Sequence, residues 1–273
     1  MNQTKKTDRE MPPAVILCGG YGTRLREVTE QLPKPMVPIG PQPILWHIMK
    51  TYASFGVKRF ILCLGYKREI FIDYFLHYHA HVGDVTIKLG KGEHIAYHNF
   101  HQEEDWEVTL ADTGLDDQTG SRIYKASKYL NENENFFLTY GDAVADINIA
   151  DLYEYHLKHK KSITITAVRP PGRFGEISIG PDNIVQGFAE KPQTSNGYVN
   201  GGFMVVNKKI INTYLSSEDQ PFECIPIQSA AQNQDLTAFC HNGYWQCMDT
   251  AREYQLLIKL WNSGEAPWKK YWP

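Results

Sequence analysis

Two textures of apolar and polar positions alternate along this chain. Short, largely apolar runs recur at 14–18, 60–64 and 136–140, the last broken by Thr139, as expected of strands covered on both faces of a sheet. Between them apolar residues return every three or four positions. Over 43–55 they fall at 44, 45, 48, 49, 52 and 55, one stripe of a helix, and Gly56 is placed to end it. The same reading predicts helices over 69–78, 121–130 and 149–159, half-exposed strands over 84–89 and 107–110, and a strand over 162–168.

After residue 168 the runs shorten and Gly, Pro and Asn punctuate them. Strands are expected at 176–179, 184–189, 198–206 and 237–240, with helices at 208–215, 221–232 and 252–261. Repeated strand-helix-strand units imply an α/β fold, a Rossmann-like and mainly parallel sheet with helices on both faces. The punctuated stretch, about 170–207, reads as a small antiparallel subregion laid over one rim. Residues 12–273 then form one domain and residues 1–11, polar and mixed in charge, a disordered tail. Ligands of such sheets bind beyond the carboxyl ends of the strands. That rule puts the glycine run after the first strand and the Gly141-Asp142 pair after 136–140 on the same rim.

Composition narrows the function. A net charge of −3 argues against general nucleic-acid binding, which calls for a basic surface. Five cysteines, an odd number with no C-x-x-C pair, fit reduced thiols better than a disulfide framework or a zinc site. The first eleven residues lack the apolar core of a signal peptide, and no run approaches the roughly 18 apolar residues of a membrane helix. These point to a cytoplasmic protein without a membrane partner.

The densest chemistry lies at Leu17-Cys18-Gly19-Gly20-Tyr21-Gly22-Thr23-Arg24 and Pro33-Lys34-Pro35. Glycines after a strand let backbone N–H groups approach a ligand and form a concave anion site. Arg24 adds a planar fork suited to phosphate, and Lys34 a second cation on a stiff, proline-flanked segment. No Lys-Ser or Lys-Thr closes the loop as in a P-loop. A dinucleotide fingerprint starting at Gly20 would need a third glycine where Leu25 stands. Asp142, just past a buried strand, and Asp249 are candidate metal ligands, since magnesium typically takes one or two carboxylates plus phosphate oxygens and waters. Asp249 is also placed to cap the last helix. Asp146 is a weaker candidate, placed to cap the helix at 149. Two histidine groups, at 77, 79, 81 and at 94, 98, 101, carry a remote metal reading. The aromatic C-terminal segment, with Trp261, Trp268, Tyr271 and Trp272, suits packing or a subunit contact.

The stretch L-x-G-G-x-G-T-R-L followed by Lys34-Pro35-Met36 resembles the signature of the sugar-phosphate nucleotidyltransferases. Further stretches resemble one branch, the glucose-1-phosphate cytidylyltransferases. They include Pro43-Ile44-Leu45-Trp46-His47, Asp112-Thr113-Gly114, Thr139-Tyr140-Gly141-Asp142, Glu190-Lys191-Pro192, Asn200-Gly201-Gly202-Phe203 and Gln246-Cys247-Met248-Asp249-Thr250. The resemblance implies transfer of CMP from CTP to a sugar 1-phosphate, first of all glucose 1-phosphate, giving CDP-glucose and pyrophosphate, with Mg²⁺ as cofactor and a homo-oligomeric assembly. It implies catalytic roles for Arg24 and Lys34 and metal binding by Asp142 and Asp249. It implies nucleotide contacts at Leu17, Gly19, Gly20, Gly22, Thr23, Thr119, Arg122 and Gly141. Acceptor contacts are implied at Gly175, Glu190, Lys191, Asn200 and Gly201.

The chain departs from the pattern at three points. Leu32 replaces a lysine, Ser121 the second glycine of T-G-G-R, and Ala143 the last glycine of Y-G-D-G. These bear on the acceptor more than on the reaction. Two rivals to glucose 1-phosphate activation therefore stand: cytidylyl transfer to another phosphate or phosphonate, and a nucleotide-binding regulatory subunit without catalysis.

Overall fold

The computed structural model describes the chain except residues 1–9, 23–29, 91–93, 99–102, 104, 133, 171–175, 180–184, 190–196 and 216–218. Seven strands form the central sheet: β1 (Ala14–Leu17), β2 (Arg59–Leu64), β3 (Glu107–Asp112), β4 (Asn135–Tyr140), β5 (Ile163–Val168), β6 (Val199–Asn207) and β7 (Leu236–His241). Their order is β7-β5-β6-β4-β1-β2-β3. β1 pairs in parallel with β2 and β4, β2 with β3, and β5 with β7, whereas β6 runs antiparallel to both β4 and β5. The expected parallel sheet is thus present, with one reversed strand inside it.

Alternate residues of each strand feed two cores, because successive side chains leave opposite faces of a sheet. Ala14, Ile16, Phe60, Leu62, Phe137, Phe203 and Val205 enter one core. That core also takes residues of helices α1 (Ile44–Ala53) and α3 (Ile149–His159) and of the C-terminal segment around Trp268. Val15, Ile61, Cys63, Phe136, Leu138, Met204 and Val206 enter the other, with Ile123 and Ala126 of α2 (Thr119–Ala126). Fully burying a side chain such as Phe137 contributes on the order of 2 kcal/mol, so the two cores together clamp the sheet from both sides. α4 (Ala251–Asn262) follows the last short strand and opens on a capping box at Thr250 and Glu253.

β6 corrects one expectation. Residues 198–206 were expected in a subregion above the rim, yet Gly201–Val206 are buried in the middle of the main sheet. Phe203-Met204-Val205-Val206 is apolar without alternation because both its faces are covered. The Asn-Gly-Gly punctuation before it marks a bulge: Ala167 pairs with Asn200 and Ile165 with Met204, so extra residues are looped out at Gly201-Gly202. Gly202 takes φ +83°, and a Cβ there would lie 2.6 Å from Cδ2 of Tyr140, so only glycine fits both the turn and the ring. The strands at 176–179 and 185–189 do form a separate antiparallel ribbon.

Smaller differences have local causes. The helix expected over 69–78 stops at Leu76, and a short turn of helix, Tyr78–Val82, follows. The expected 221–232 helix begins only at Ile225, with Pro226 in its first turn, where the missing N–H costs nothing. The chain before it instead bonds to the start of α2, Gly120 N–H donating to the carbonyl of Gln220 at 3.0 Å. Strand 84–89 lies outside the main sheet, in a hairpin of Val85–Lys88 with His94–Tyr97. Met11, expected in the tail, packs against the first core, while residues 1–9 lie outside the described residues. No helix among the described residues is long and apolar enough to cross a membrane.

Candidate active site

Strand order changes direction at β1: β2 and β3 lie to one side, β4 to the other. Such a switch point leaves a crevice at the carboxyl ends of the two central strands. A cleft of about 410 Å³ opens there. The loop after β1 (Cys18–Gly22), the segment after β3 (Leu115–Thr119) and the end of β4 (Tyr140–Asp142) border it, together with Lys34, Pro35, Arg122 and Asp249.

Lys34 begins a short 3₁₀ turn, Lys34–Met36, with Pro33 extended before it and Pro35 inside it. Two prolines hold the backbone, and the four-carbon stem carries the ammonium away from it. Its ammonium donates to Asp142 Oδ2 at 2.6 Å and also to Asp249 Oδ1. The Lys34 side chain is 11% exposed. Burial alone would push its pKa down, but the charges and hydrogen bonds of Asp142 and Asp249 outweigh burial and hold it above the ordinary lysine value.

A two-stranded ribbon brings the two aspartates together. Ala143–Ala145 pairs antiparallel with Trp245–Cys247, Ala143 opposite Cys247. Met248 N–H then donates to the Asp142 carbonyl at 2.8 Å. Asp249 is not the cap of α4. Thr250 accepts from Glu253 N–H as the cap, and the Glu253 carboxylate receives the N–H groups of Asp249 and Thr250, each at 2.9 Å. The Asp249 carboxylate is thereby left to face the cleft. Asp146 is at the other end of the ribbon, 3.0 Å from His241 Nε2, and the α3 cap is Asn148.

Arg122 does not reach out from its helix. It is 4% exposed, and its guanidinium lies beneath the glycine loop. Nη1 donates to Gly114 O at 2.7 Å, Thr113 Oγ1 at 2.9 Å and Leu64 O at 3.2 Å; Nη2 donates to Leu115 O at 3.1 Å and Gly19 O at 3.3 Å. Five neutral oxygens from three segments thus share one buried charge, which fixes the loops after β1, β2 and β3 against each other. A Cβ on Gly19 would come within 2.1 Å of Nη1, so glycine is required for this approach. Thr119 is likewise occupied: its hydroxyl donates to Glu223 Oε2 at 2.6 Å and accepts from Phe222 N–H at 2.7 Å.

The remaining expected residues divide. Leu17, Gly19, Gly20, Gly22 and Gly141 border the cleft. Asn200 and Gly201 stand at the bulge and do not line the cleft, Gly201 O accepting from Trp245 Nε1 at 2.8 Å. Thr23, Arg24, Gly175, Glu190 and Lys191 lie outside the described residues. Tyr21, Asp116, Asp117 and Tyr140 line the cleft without having been singled out. The carboxyl-end rule, applied to β3 as it was to β1 and β4, would have pointed to 115–118. The Tyr140 hydroxyl donates to Glu223, and burial and then that carboxylate push its pKa up, so the phenol keeps its proton.

Among the described residues the histidine groups form no metal cluster, and His101 lies outside those residues. His81 stacks on Tyr74, His79 lies against Tyr97, and His98 bonds to Thr86. No set of three His, Cys, Asp or Glu donors for a metal occurs among the described residues. Trp261, Trp268 and Trp272 of the aromatic C-terminal segment pack around the buried His47.

The cleft's charge suits an anion only with help. Asp116, Asp117, Asp142 and Asp249 face Lys34 and Arg122 among its described lining. A bare polyphosphate would meet excess negative charge. A hard divalent cation between Asp142 and Asp249 would offset it, and two carboxylates would leave room for phosphate oxygens and water. The donor set fits Mg²⁺ chemistry.

Comparison with known proteins agrees with this geometry. The family described as "Nucleotidyl transferase" matches residues 13–255. The glucose-1-phosphate cytidylyltransferase of Salmonella typhimurium is 44% identical over 258 residues, 94% of this chain and 99% of that protein. A Bacillus subtilis relative named probable glucose-1-phosphate cytidylyltransferase is 40% identical over 94% of this chain and 98% of its own. Among solved structures, HddC from Yersinia pseudotuberculosis complexed with GMP-PN superposes with a TM-score of 0.65 at 26% identity, covering 92% of this chain and all of that one. With a switch-point cleft, a glycine loop and a paired lysine and aspartates, matched along nearly its whole length, the chain belongs to the nucleotidyltransferase family, in the branch of the glucose-1-phosphate cytidylyltransferases.

Proposed function

We propose that this protein transfers CMP from CTP to glucose 1-phosphate, giving CDP-glucose and pyrophosphate, with Mg²⁺ as the metal. An oxygen of the acceptor phosphate attacks the α-phosphorus of CTP, and the bond from that phosphorus to the departing pyrophosphate oxygen breaks. No covalent bond to the protein is needed, so catalysis is positioning and charge stabilisation. The metal, when bound, supplies positive charge against the reacting and departing oxygens. Asp142 and Asp249 would hold it. Lys34 stabilises charge on the phosphates, and Arg24, by its place in the glycine loop, does the same. Arg122 sets the loops that receive the nucleotide. Asn200 and Gly201, at the bulge, serve the acceptor, with Gly175, Glu190 and Lys191 from the stretch that precedes them in sequence.

The observation that carries this reading is the meeting of Lys34, Asp142 and Asp249, 108 and 215 positions from Lys34 in sequence, at one cleft rim. A regulatory nucleotide binder has no need to assemble them. The test is pyrophosphate release with Mg²⁺, each of four nucleoside triphosphates and a panel of sugar phosphates. CTP with glucose 1-phosphate should turn over at roughly 1–10³ s⁻¹. Asp142→Asn and Asp249→Asn should each lower that rate by about 10² or more with an unchanged circular dichroism spectrum. Release with CTP and a different acceptor would keep the chemistry and replace the substrate. CTP binding without release for any acceptor would favour the non-catalytic subunit.

A further inference from the structure

The Lys34 ammonium stands where a cation between Asp142 and Asp249 belongs. It touches one oxygen of each carboxylate. Two carboxylates and one ammonium leave a net charge of −1 in a partly buried site, with the side chains of Lys34 11%, Asp249 18% and Asp142 30% exposed. A divalent ion bridging the two carboxylates would have to share Asp142 Oδ2 and Asp249 Oδ1 with the ammonium or sit on their second oxygens only a few ångströms from it. Like charges held that close in a partly dry site repel strongly. Lysine and metal therefore compete for the same pair of carboxylates.

The stem of Lys34 makes leaving easy. Its backbone is pinned by Pro33 and Pro35, but its side chain has four rotatable carbons and a point charge that makes no geometric demand. The same cleft that holds the pair is bordered by the glycine loop and by Arg122, where a triphosphate would bring several negative charges. We propose that Lys34 is an exchangeable counter-ion: in the free protein it closes Asp142 and Asp249 to divalent metal, and an arriving triphosphate draws it away and opens them. The lysine then holds phosphate while the metal takes its place. Metal binding and nucleotide binding are thus coupled through one side chain, and free protein should bind divalent ions poorly. The inference rests on the nucleotidyl-transfer reading for the identity of the anion, but not for the competition itself.

The test is direct Mn²⁺ binding, followed by the electron paramagnetic resonance signal of free Mn²⁺, without nucleotide. Wild type should bind weakly, Lys34→Met about tenfold or more tightly, and Lys34→Arg as weakly as wild type. Adding Asp142→Asn and Asp249→Asn to Lys34→Met should abolish the gain. Equal affinity in wild type and Lys34→Met would overturn the proposal. Should Lys34→Met fold poorly without metal, its melting temperature decides: a rise with Mg²⁺ that wild type lacks supports the exchange, and no rise overturns it. A second measurement needs no variant. The Lys34 ammonium, followed by ¹⁵N NMR in wild type, should change environment when CTP and Mg²⁺ are both added, and an unmoved signal overturns the exchange. CTP turnover assayed in parallel separates the two readings. Turnover with unchanged metal affinity defeats only the counter-ion, whereas tighter metal binding without CTP binding or turnover defeats only the nucleotide assignment.

Discussion

Met248 N–H donates to the carbonyl oxygen of Asp142 over 2.8 Å, so the segment bearing one acidic side chain of the cleft is fastened to the segment bearing the other. The bond ends the ribbon of Ala143–Ala145 with Trp245–Cys247. Asp142 is thus set by the end of β4 and Asp249 by the start of α4, and the ribbon transmits the position of each to the other. A shift at either root moves both carboxylates relative to Lys34.

Thr250 is such a root. Its side chain caps α4 while Glu253 holds the Asp249 and Thr250 N–H groups. Thr250→Ala should cost about 1 kcal/mol of stability, a fall in melting temperature of roughly 2–4 °C. Because the cap orients Asp249, kcat should fall as well, with KM for CTP little changed. Thr250→Ser, which keeps the cap, should restore both. A loss of stability with unaltered kcat would separate the cap from the site.

Arg122 and Gly19 act as a unit. Lysine cannot reproduce a fork that reaches five oxygens in three segments, so Arg122→Lys should leave several carbonyls and a charge poorly matched and cost roughly 2–4 kcal/mol. Gly19→Ala should push the guanidinium aside without removing it. Both should weaken CTP binding, measured by calorimetry, and the double variant should lose less than the sum of the two. Strict additivity would show that the loop does not depend on the arginine.

Acid should destabilise the protein in a window set by two buried histidines. His47 Nε2–H donates to Ile39 O at 2.9 Å and its Nδ1 accepts from Trp268 Nε1 at 3.3 Å. Burial drives the pKa of His47 down to about 4, and burial does the same to His156. Unfolded histidine titrates near 6.5, so below that pH the unfolded chain binds protons that the folded chain refuses. Stability should be intact above about pH 6.5 and be lost progressively as pH falls toward 4, by about 1.4 kcal/mol per histidine per pH unit inside that window. Urea unfolding midpoints between pH 7 and 5 check this, and a flat profile there would refute it.

Regular elements were the most legible part of the chain. β1, β2, β4 and α3 follow from apolar runs and one helical stripe, since each is buried on a simple periodic plan. The glycine loop and Asp142 followed from the strand-end rule alone. β6 was harder: its bulge at Gly201-Gly202 looks, in sequence, like a boundary. The partnership of Asp249 with Asp142 depends on a three-residue ribbon too short to carry a periodic signal, and residue resemblance supplied it instead. The inward turn of Arg122 had no sequence signal at all. An arginine at a helix start looks the same whether it meets solvent, a ligand or five carbonyls, and only the packing of three loops decides among them.

The spread of the ion triad along the chain has a consequence for how the protein is made. Lys34 and Asp142 can meet once β1 and β4 have paired, but Asp249 emerges from the ribosome more than a hundred residues after Asp142. Synthesis from the N-terminus allows the earlier strands to associate first. During that interval the cleft has its glycine loop and one carboxylate but not the second. Activity would begin only when translation has passed the ribbon and supplied Asp249.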